Sequence, residues 1–329
     1  MPKLELHCHL EGSMSVDTVR TLIERHGADS SAVWPTGLPD EFSFDGFPSF
    51  ASQFWFGLSL IRSAEDLATV TDDLAVTLAG QHVRYAELTT TAYTHFSERP
   101  GVPVMSHEEY RDGLNEGRRR AALRGVELGW VIDIPRDLEM PDETVTVDYV
   151  TGPHAPDGLV ALGLGGYEVG FPAAPYADHF ARTRALGLPG VPHAGETEGP
   201  DSVRQALEQL HAVRIGHGVR SIEDPALVQL LAERRTMLEV CPTSNLKLWV
   251  YDDVSEHPLP SLIDAGVRVC LNTDDPGWFA CDLVGEMVLA TEQLGVSLDQ
   301  HRAMQLDALE ASFASEGIKS RLAEAIREA

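Results

Sequence analysis

The stretch that decides the reading is Lys3-Leu-Glu-Leu-His-Cys-His-Leu-Glu-Gly-Ser13, close to the start of the chain. Its apolar run marks a β-strand, and in a strand successive side chains point to opposite faces. His7 and His9 therefore share one face while Cys8 takes the other. Two neutral imidazoles side by side at the end of a strand supply half of a metal site. An edge strand that happens to carry two histidines would look the same in isolation, so the reading turns on what the remaining chain brings to that face.

Downstream, Val16–His26 reads as a helix with Ser15 as its N-cap. Residues 27–62 then lose periodicity and gain Pro, Gly and aromatics, among them Trp34, Phe42, Phe50, Phe54 and Trp55. A core segment would be rich in Leu and Val, so this stretch is expected to be a flap over a site, with a satellite cluster packed on the barrel's side as the alternative. From residue 63 the pattern becomes regular. Apolar strands are expected at 83–91, 126–133, 159–166, 190–196, 213–218, 236–242 and 267–274. Helical stretches at 64–80, about 106–124, 174–187, 201–212, 224–234 and 258–265 alternate with them, and a short polar connection separates the third strand from the fourth. With the first strand this makes eight, and strand–helix alternation of that kind gives parallel βαβ units that fit a closed eightfold α/β barrel, a (β/α)8 TIM barrel. The fold needs roughly 250 residues, which leaves about 80 for the aromatic insertion and for C-terminal helices over 282–329. One domain spanning 1–329 is the economical organisation.

The charge balance narrows the partners. With 25 basic and 51 acidic residues the net charge is −26, a field that repels phosphate backbones and anionic membrane surfaces. No nucleic acid and no membrane partner is expected, and a highly anionic substrate is disfavoured. No apolar run approaches the ~20 residues needed to span a bilayer, and no charged-then-apolar signal segment opens the chain. Cys8, Cys241, Cys270 and Cys281 show no paired spacing, which suits reduced thiols in a cytoplasmic protein.

In a barrel of this kind the active-site side chains come from the C-terminal ends of the strands. Those ends carry His7 and His9, Gly165-Gly166, His193-Ala-Gly-Glu196, His217 and Asp274-Asp275. Three imidazoles and a carboxylate from strands one, five and eight thus assemble into a metal-binding set. Taken singly, His193 could be a core histidine, His217 a loop brace and Asp274 a helix cap; their joint placement on strand ends favours the site. Other chemistries lack their residues. There is no H-E-x-x-H and no P-loop, Gly163-Leu-Gly165-Gly166 lacks the third glycine of a dinucleotide loop, and the H-x-E…P-C-x-x-C pattern of cytidine-type deaminases is missing. The only lysines are Lys3, Lys247 and Lys319, so no mid-chain lysine is present to bridge two metals, and one metal per chain is expected.

The combination of His7-Cys-His-Leu-Glu-Gly12, His193-Ala-Gly-Glu196, Arg214-Ile-Gly-His-Gly218, Cys241-Pro-Thr-Ser-Asn245 and Asn272-Thr-Asp-Asp-Pro276 resembles the motif set of the adenosine deaminase family, a branch of the metal-dependent amidohydrolase superfamily, in order and over nearly the whole chain. The resemblance implies one Zn2+ held by His7, His9, His193 and Asp274. It implies Glu196 as the catalytic proton shuttle, His217 beside the reacting water, and Glu11, Gly166 and Asp275 as substrate contacts. Replacing an exocyclic amine on an aromatic ring needs hydroxide at neutral pH, which zinc supplies by lowering the pKa of bound water to ~7, together with an acid for the adjacent ring nitrogen.

The chain departs from the family around the rest of the substrate. Many members carry an acidic residue directly after the glycine, where this chain has Tyr167 before Glu168. Leu162-Gly-Leu-Gly-Gly166 and His193-Ala-Gly-Glu-Thr-Glu-Gly-Pro200 look like actinobacterial members, some of which act on 6-aminodeoxyfutalosine. Adenine deaminases tend to carry Ser-Ser-Glu where this chain has Gly-Tyr-Glu, which disfavours free adenine. The expected activity is deamination of an adenosine-like 6-aminopurine nucleoside, with a 5′-modified nucleoside as the alternative, and Trp249 and Trp278 are candidates for the outer pocket wall. A purine-binding relative without turnover is the competing class, and the retention of every metal and acid–base position argues against it.

Overall fold

The computed structural model describes every residue except 46, 99–101, 139–143 and 329, and the side chains of 47 and 48 are likewise not described. Residue 46 of the expected flap and residue 329 of the expected tail therefore lie outside the described residues. Eight parallel strands run in sequence order around a (β/α)8 TIM barrel: β1 (Lys3–His9), β2 (Val83–Thr90), β3 (Glu127–Pro135), β4 (Leu159–Gly165), β5 (Gly190–Ala194), β6 (Arg214–His217), β7 (Met237–Val240) and β8 (Arg268–Leu271). All eight begin within one residue of the positions the apolar runs indicate and end within three. The last four are shorter than their runs because the polar ends of those runs turn out of the sheet at the barrel mouth.

The seam between β8 and β1 is closed mostly by side chains. Backbone groups meet only at the mouth, where the His9 N–H donates to the Asp274 carbonyl at 2.7 Å and the Asp274 N–H to the His7 carbonyl at 3.0 Å. Deeper in the seam, Asn272 Oδ1 accepts from the Leu6 N–H at 2.8 Å and Gln305 Oε1 from the Leu4 N–H at 2.7 Å. Buried N–H groups need partners, and here the side-chain amides of Asn272 and Gln305 supply them in place of β8 backbone carbonyls.

Helix α1 (Val16–His26) begins at Ser15, whose side chain accepts from the Thr18 N–H, and ends at Gly27 with φ 58°, the left-handed conformation that glycine adopts without a Cβ penalty. Helix α2 (Phe47–Leu58) lies inside the aromatic insertion, and α3 (Ala64–Gly80) follows, capped by Ser63. Further helices occupy the expected crossovers, and three helices, Leu283–Leu294, Leu298–Ala311 and Glu316–Glu328, form the tail. One expectation fails: the connection between β3 and β4 is not merely polar but contains a helix over Val145–Thr151. Its β-branched Val-Thr-Val run has low helix propensity, and burial of Val147, Tyr149 and Val150 overrides it. Among the described residues no helix is long and apolar enough to cross a membrane, and all four cysteines are free thiols.

Candidate active site

The strand order brings His7, His9, His193, His217, Asp274 and Asp275 to one end of the barrel, as the sequence pattern indicates. His7 Nδ1 donates to Glu239 Oε2 at 2.9 Å, and His193 Nδ1 donates to the Leu164 carbonyl at 3.1 Å. Each bond fixes a tautomer and leaves the Nε2 lone pair aimed inward. These lone pairs meet other lone pairs. His9 Nε2 lies 3.1 Å from His193 Nε2 and 3.2 Å from Asp274 Oδ1, and His7 Nε2 lies 3.4 Å from the same oxygen, buried and with no hydrogen-bond partner. Donor atoms around a tetrahedral cation at zinc distances stand about 3.4 Å apart. Stripped of their protons, four donors at that spacing would repel one another unless a cation sat among them, so the set fits a metal that takes the place of those protons.

Five groups converge where four are needed. His7, His193, His217 and Asp274 have donors all within 4.8 Å of one another, yet His217 Nε2 stands 4.0 Å from Asp274 Oδ2 and 3.7 Å from Glu196 Oε2. The shorter separations belong to His9, and His217 sits one step away, between Asp274 and Glu196. Ser244 Oγ donates to Asp274 Oδ2 at 2.6 Å and thereby directs Oδ1 toward the histidines. His217 and Asp274 both adopt left-handed backbone, φ 59° and 64°, a conformation that costs a non-glycine residue free energy and is typically retained where function holds it.

Electrostatics follows from burial. Burial disfavours a charged His9, but Asp274 and Asp275 outweigh it and carry its pKa up to about 9. Burial pushes His217 down to about 4, leaving it neutral. Burial, with the charges of Asp274 and Glu168, raises Glu196 well above the usual carboxylate range, and burial followed by the Asp274 charge raises Asp275 to about 7. Glu196 and Asp275 are thus carboxyl groups that hold a proton readily.

A cavity of about 260 Å³ opens over these groups, lined by His9, Glu196, His217 and Asp275 at one end and by Phe50, Phe54, Trp55 and Leu58 of α2 with Tyr167 at the other. The aromatic insertion thus faces the cavity. The two tryptophans expected to wall the outer pocket do not: Trp278 is fully buried, donating to the Glu11 carbonyl at 3.2 Å, and Trp249 is half-exposed outside the lining. Glu11 is in the lining, but its Oε1 already accepts from Thr90 Oγ1 at 2.6 Å, the Thr91 N–H and His95 Nε2. Gly166 lines the cavity with φ 88°. A Cβ there would fall 2.1 Å from Asp137 Oδ1, and one on Gly163 would fall 1.7 Å from Asp133 Oδ1. The glycines that resemble half a dinucleotide loop are there to admit two carboxylates from the end of β3.

Three contributors escaped the sequence reading. Asp133 is buried with both oxygens unpartnered, and its only sequence signal is a charge ending an apolar run. Glu168 accepts from the N–H groups of Gly195, Glu196 and Thr197 at 2.9, 2.7 and 3.0 Å, and so clamps the turn that presents Glu196. Glu239 supports His7 from mid-strand, where Met-Leu-Glu-Val places one charge among apolar neighbours.

Comparison with known proteins agrees with this geometry. The adenosine deaminase family profile matches residues 2–329. An aminodeoxyfutalosine deaminase from Streptomyces avermitilis is 40% identical over 325 residues, covering 98% of this chain and 89% of that protein. An adenine deaminase from Rhodospirillum rubrum is 34% identical, covering 98% and 95%. The crystal structure of an adenine deaminase from Arthrobacter aurescens superposes with a TM-score of 0.90 at 28% identity, covering 99% of this chain and 98% of that one. The chain belongs to the adenosine deaminase family of amidohydrolases and is a hydrolytic deaminase that cleaves a C–N bond.

Proposed function

We propose that this deaminase acts on a 6-aminopurine nucleoside with an aromatic 5′ substituent, of the aminodeoxyfutalosine type, and uses one zinc ion held by His7, His9, His193 and Asp274. The observation that carries the substrate is the two-ended cavity: proton-holding carboxyls and imidazoles at one end, aromatic side chains at the other, and no Lys or Arg in its described lining. A phosphate would find no cation there, inside a chain of net charge −26, whereas an aryl group would find stacking surface. The resemblance to the Streptomyces protein at 40% identity supports the same substituent.

When bound, zinc would supply a hydroxide nucleophile from water at neutral pH. The chain's own residues do the rest. Protonated Glu196 donates to the ring nitrogen beside the amine-bearing carbon, which draws electron density out of the ring as attack proceeds. Neutral His217, between Glu196 and Asp274, holds the attacking water and steadies the charge developing there. The Glu196 carboxylate left by that donation takes the proton of the newly added oxygen and passes it to the departing amine, and ammonia leaves as the 6-oxo product forms. Asp275 hydrogen-bonds the purine's five-membered ring, and Gly166 lets the ring lie close against the backbone. Glu11, with Oε1 already committed, offers its remaining oxygen to the substituent.

Metal analysis joined to an ultraviolet assay of 6-amino to 6-oxo conversion tests this reading. One zinc per chain is expected, and His193→Ala should lose both metal and activity. Tight binding of two equivalents, or full activity after exhaustive chelation, would overturn the mononuclear assignment.

A further inference from the structure

The barrel interior holds a second set of charged groups that the deamination steps do not use. Arg214 on β6 is fully buried and donates through Nε to Glu239 Oε1 at 2.6 Å and through Nη2 to Glu87 Oε2. Both carboxylates are buried as well. At one end of this chain Glu239 turns its other oxygen to His7 Nδ1 at 2.9 Å. At the opposite end, Glu87 Oε1 accepts from Tyr85 Oη at 3.0 Å and from the Phe313 N–H at 2.7 Å. Arg214 Nη1 donates to the Ala311 carbonyl at 3.0 Å, and the guanidinium carbon stands 4.5 Å over the Phe313 ring. Ala311 and Phe313 belong to the turn that closes the helix Leu298–Ala311 and leads into the last helix.

A buried ion pair is weak evidence of stabilisation, because desolvation offsets most of its attraction. What this one does have is connection: every charged member contacts two others, and the terminal contacts are a histidine of the active site and the C-terminal turn. A carboxylate on the outer nitrogen of a ligating imidazole fixes its tautomer and orientation and raises its basicity. Here that carboxylate is itself held in place by Arg214, whose Nη1 finds its acceptor in the tail, at the Ala311 carbonyl.

We propose that Glu239, Arg214 and Glu87 are positioning residues that hold His7 ready for the cation, and that the turn at Ala311–Phe313 completes their network, so that metal affinity and docking of the C-terminal helices depend on each other. The inference rests on the proposed metal reading. Linkage is reciprocal: cation binding at His7 tightens the tail, and loosening the tail weakens the cation.

Zinc affinity measured by chelator competition, with amide exchange of residues 311–328 in apo and zinc-loaded full-length protein, tests both directions. In the wild type, zinc should slow exchange in that segment. Glu239→Gln should bind zinc about 10–100-fold more weakly and lose the zinc-dependent protection of the tail. Phe313→Ala, which touches neither the cavity nor any proposed ligand, should weaken zinc several-fold, and Phe313→Tyr, which keeps a ring over the guanidinium, should restore it. Wild-type zinc affinity in both Glu239→Gln and Phe313→Ala would overturn the coupling and leave the metal reading intact. Failure of the wild type to bind zinc would overturn the metal reading and this inference with it.

Discussion

The two ends of the cavity are held by different forces. At the imidazole end four groups are fixed by directional bonds from the barrel: His7 by Glu239, His193 by the Leu164 carbonyl, Asp274 by Ser244, and the Glu196 turn by Glu168. At the aromatic end, Phe50, Phe54 and Trp55 pack on one another at centroid separations of 5.7 and 6.4 Å, with only dispersion and apolar burial to set their positions. Chemistry that must place a proton to within a fraction of an ångström sits on the rigid end. Selection among substituents, worth ~1–3 kcal/mol per apolar group, sits on the adaptable one.

If that division holds, substitutions at the two ends should fail in different ways. The largest effect is expected at the rigid end. Glu196→Gln keeps the shape and removes the proton, so kcat should fall by ~10²–10⁴-fold while zinc content and KM change little. A near-normal kcat would transfer the acid–base role to another carboxyl, with Asp275 next in position.

A second test concerns how much charge the support behind the rigid end tolerates. Glu286 is buried with Oε1 unpartnered and Oε2 accepting from the Thr243 N–H at 3.1 Å, and burial pushes its pKa to about 7. Because the folded protein holds this proton more tightly than the unfolded chain, the contribution to stability is fully present below the unfolded pKa and is lost as pH rises through about 7. At 1.36 kcal/mol per pH unit this amounts to ~3 kcal/mol. Glu286→Gln should therefore gain stability over wild type at pH 8 relative to pH 5 by roughly that amount, read by urea unfolding of the chelated protein. An equal difference at both pH values would contradict it.

The smallest effect is expected at the aromatic end. Phe54→Ala should lower kcat/KM by about tenfold for a 5′-aryl-substituted deoxyadenosine and much less for adenosine, with kcat preserved in both. A loss confined to kcat, equal for the two substrates, would show that the insertion shapes the chemistry and that the two ends are not separable.

The same contrast explains what could be read from the sequence. Strand ends were legible because alternation puts His7 and His9 on one face of β1, and because the C-terminal ends of β5, β6 and β8 open at the barrel mouth, where His193, His217 and Asp274 stand. Helix Val145–Thr151 was not legible, because local propensity opposes it and only packing forms it. Glu168 and Glu239 act through partners 27 to 232 residues away in sequence, as in the Gly195–Glu168 and His7–Glu239 bonds, and no local pattern announces such pairs. Tryptophans were misleading for the complementary reason: Trp278 reads as a pocket residue by neighbourhood with Asp275, yet its ring turns inward against Phe42 at 4.2 Å.

The most direct test of the two-ended cavity is a comparison of kcat/KM on the zinc-loaded wild type for adenosine, 2′-deoxyadenosine, adenine, a 5′-aryl-substituted deoxyadenosine and AMP, followed by the ultraviolet change on 6-oxo product formation. Deamination of nucleosides is expected, with the 5′-aryl compound at the top and AMP and adenine at the bottom, since the described lining of the cavity offers stacking surface and no Lys or Arg. A strong preference for AMP or for free adenine would contradict the account of the aromatic end.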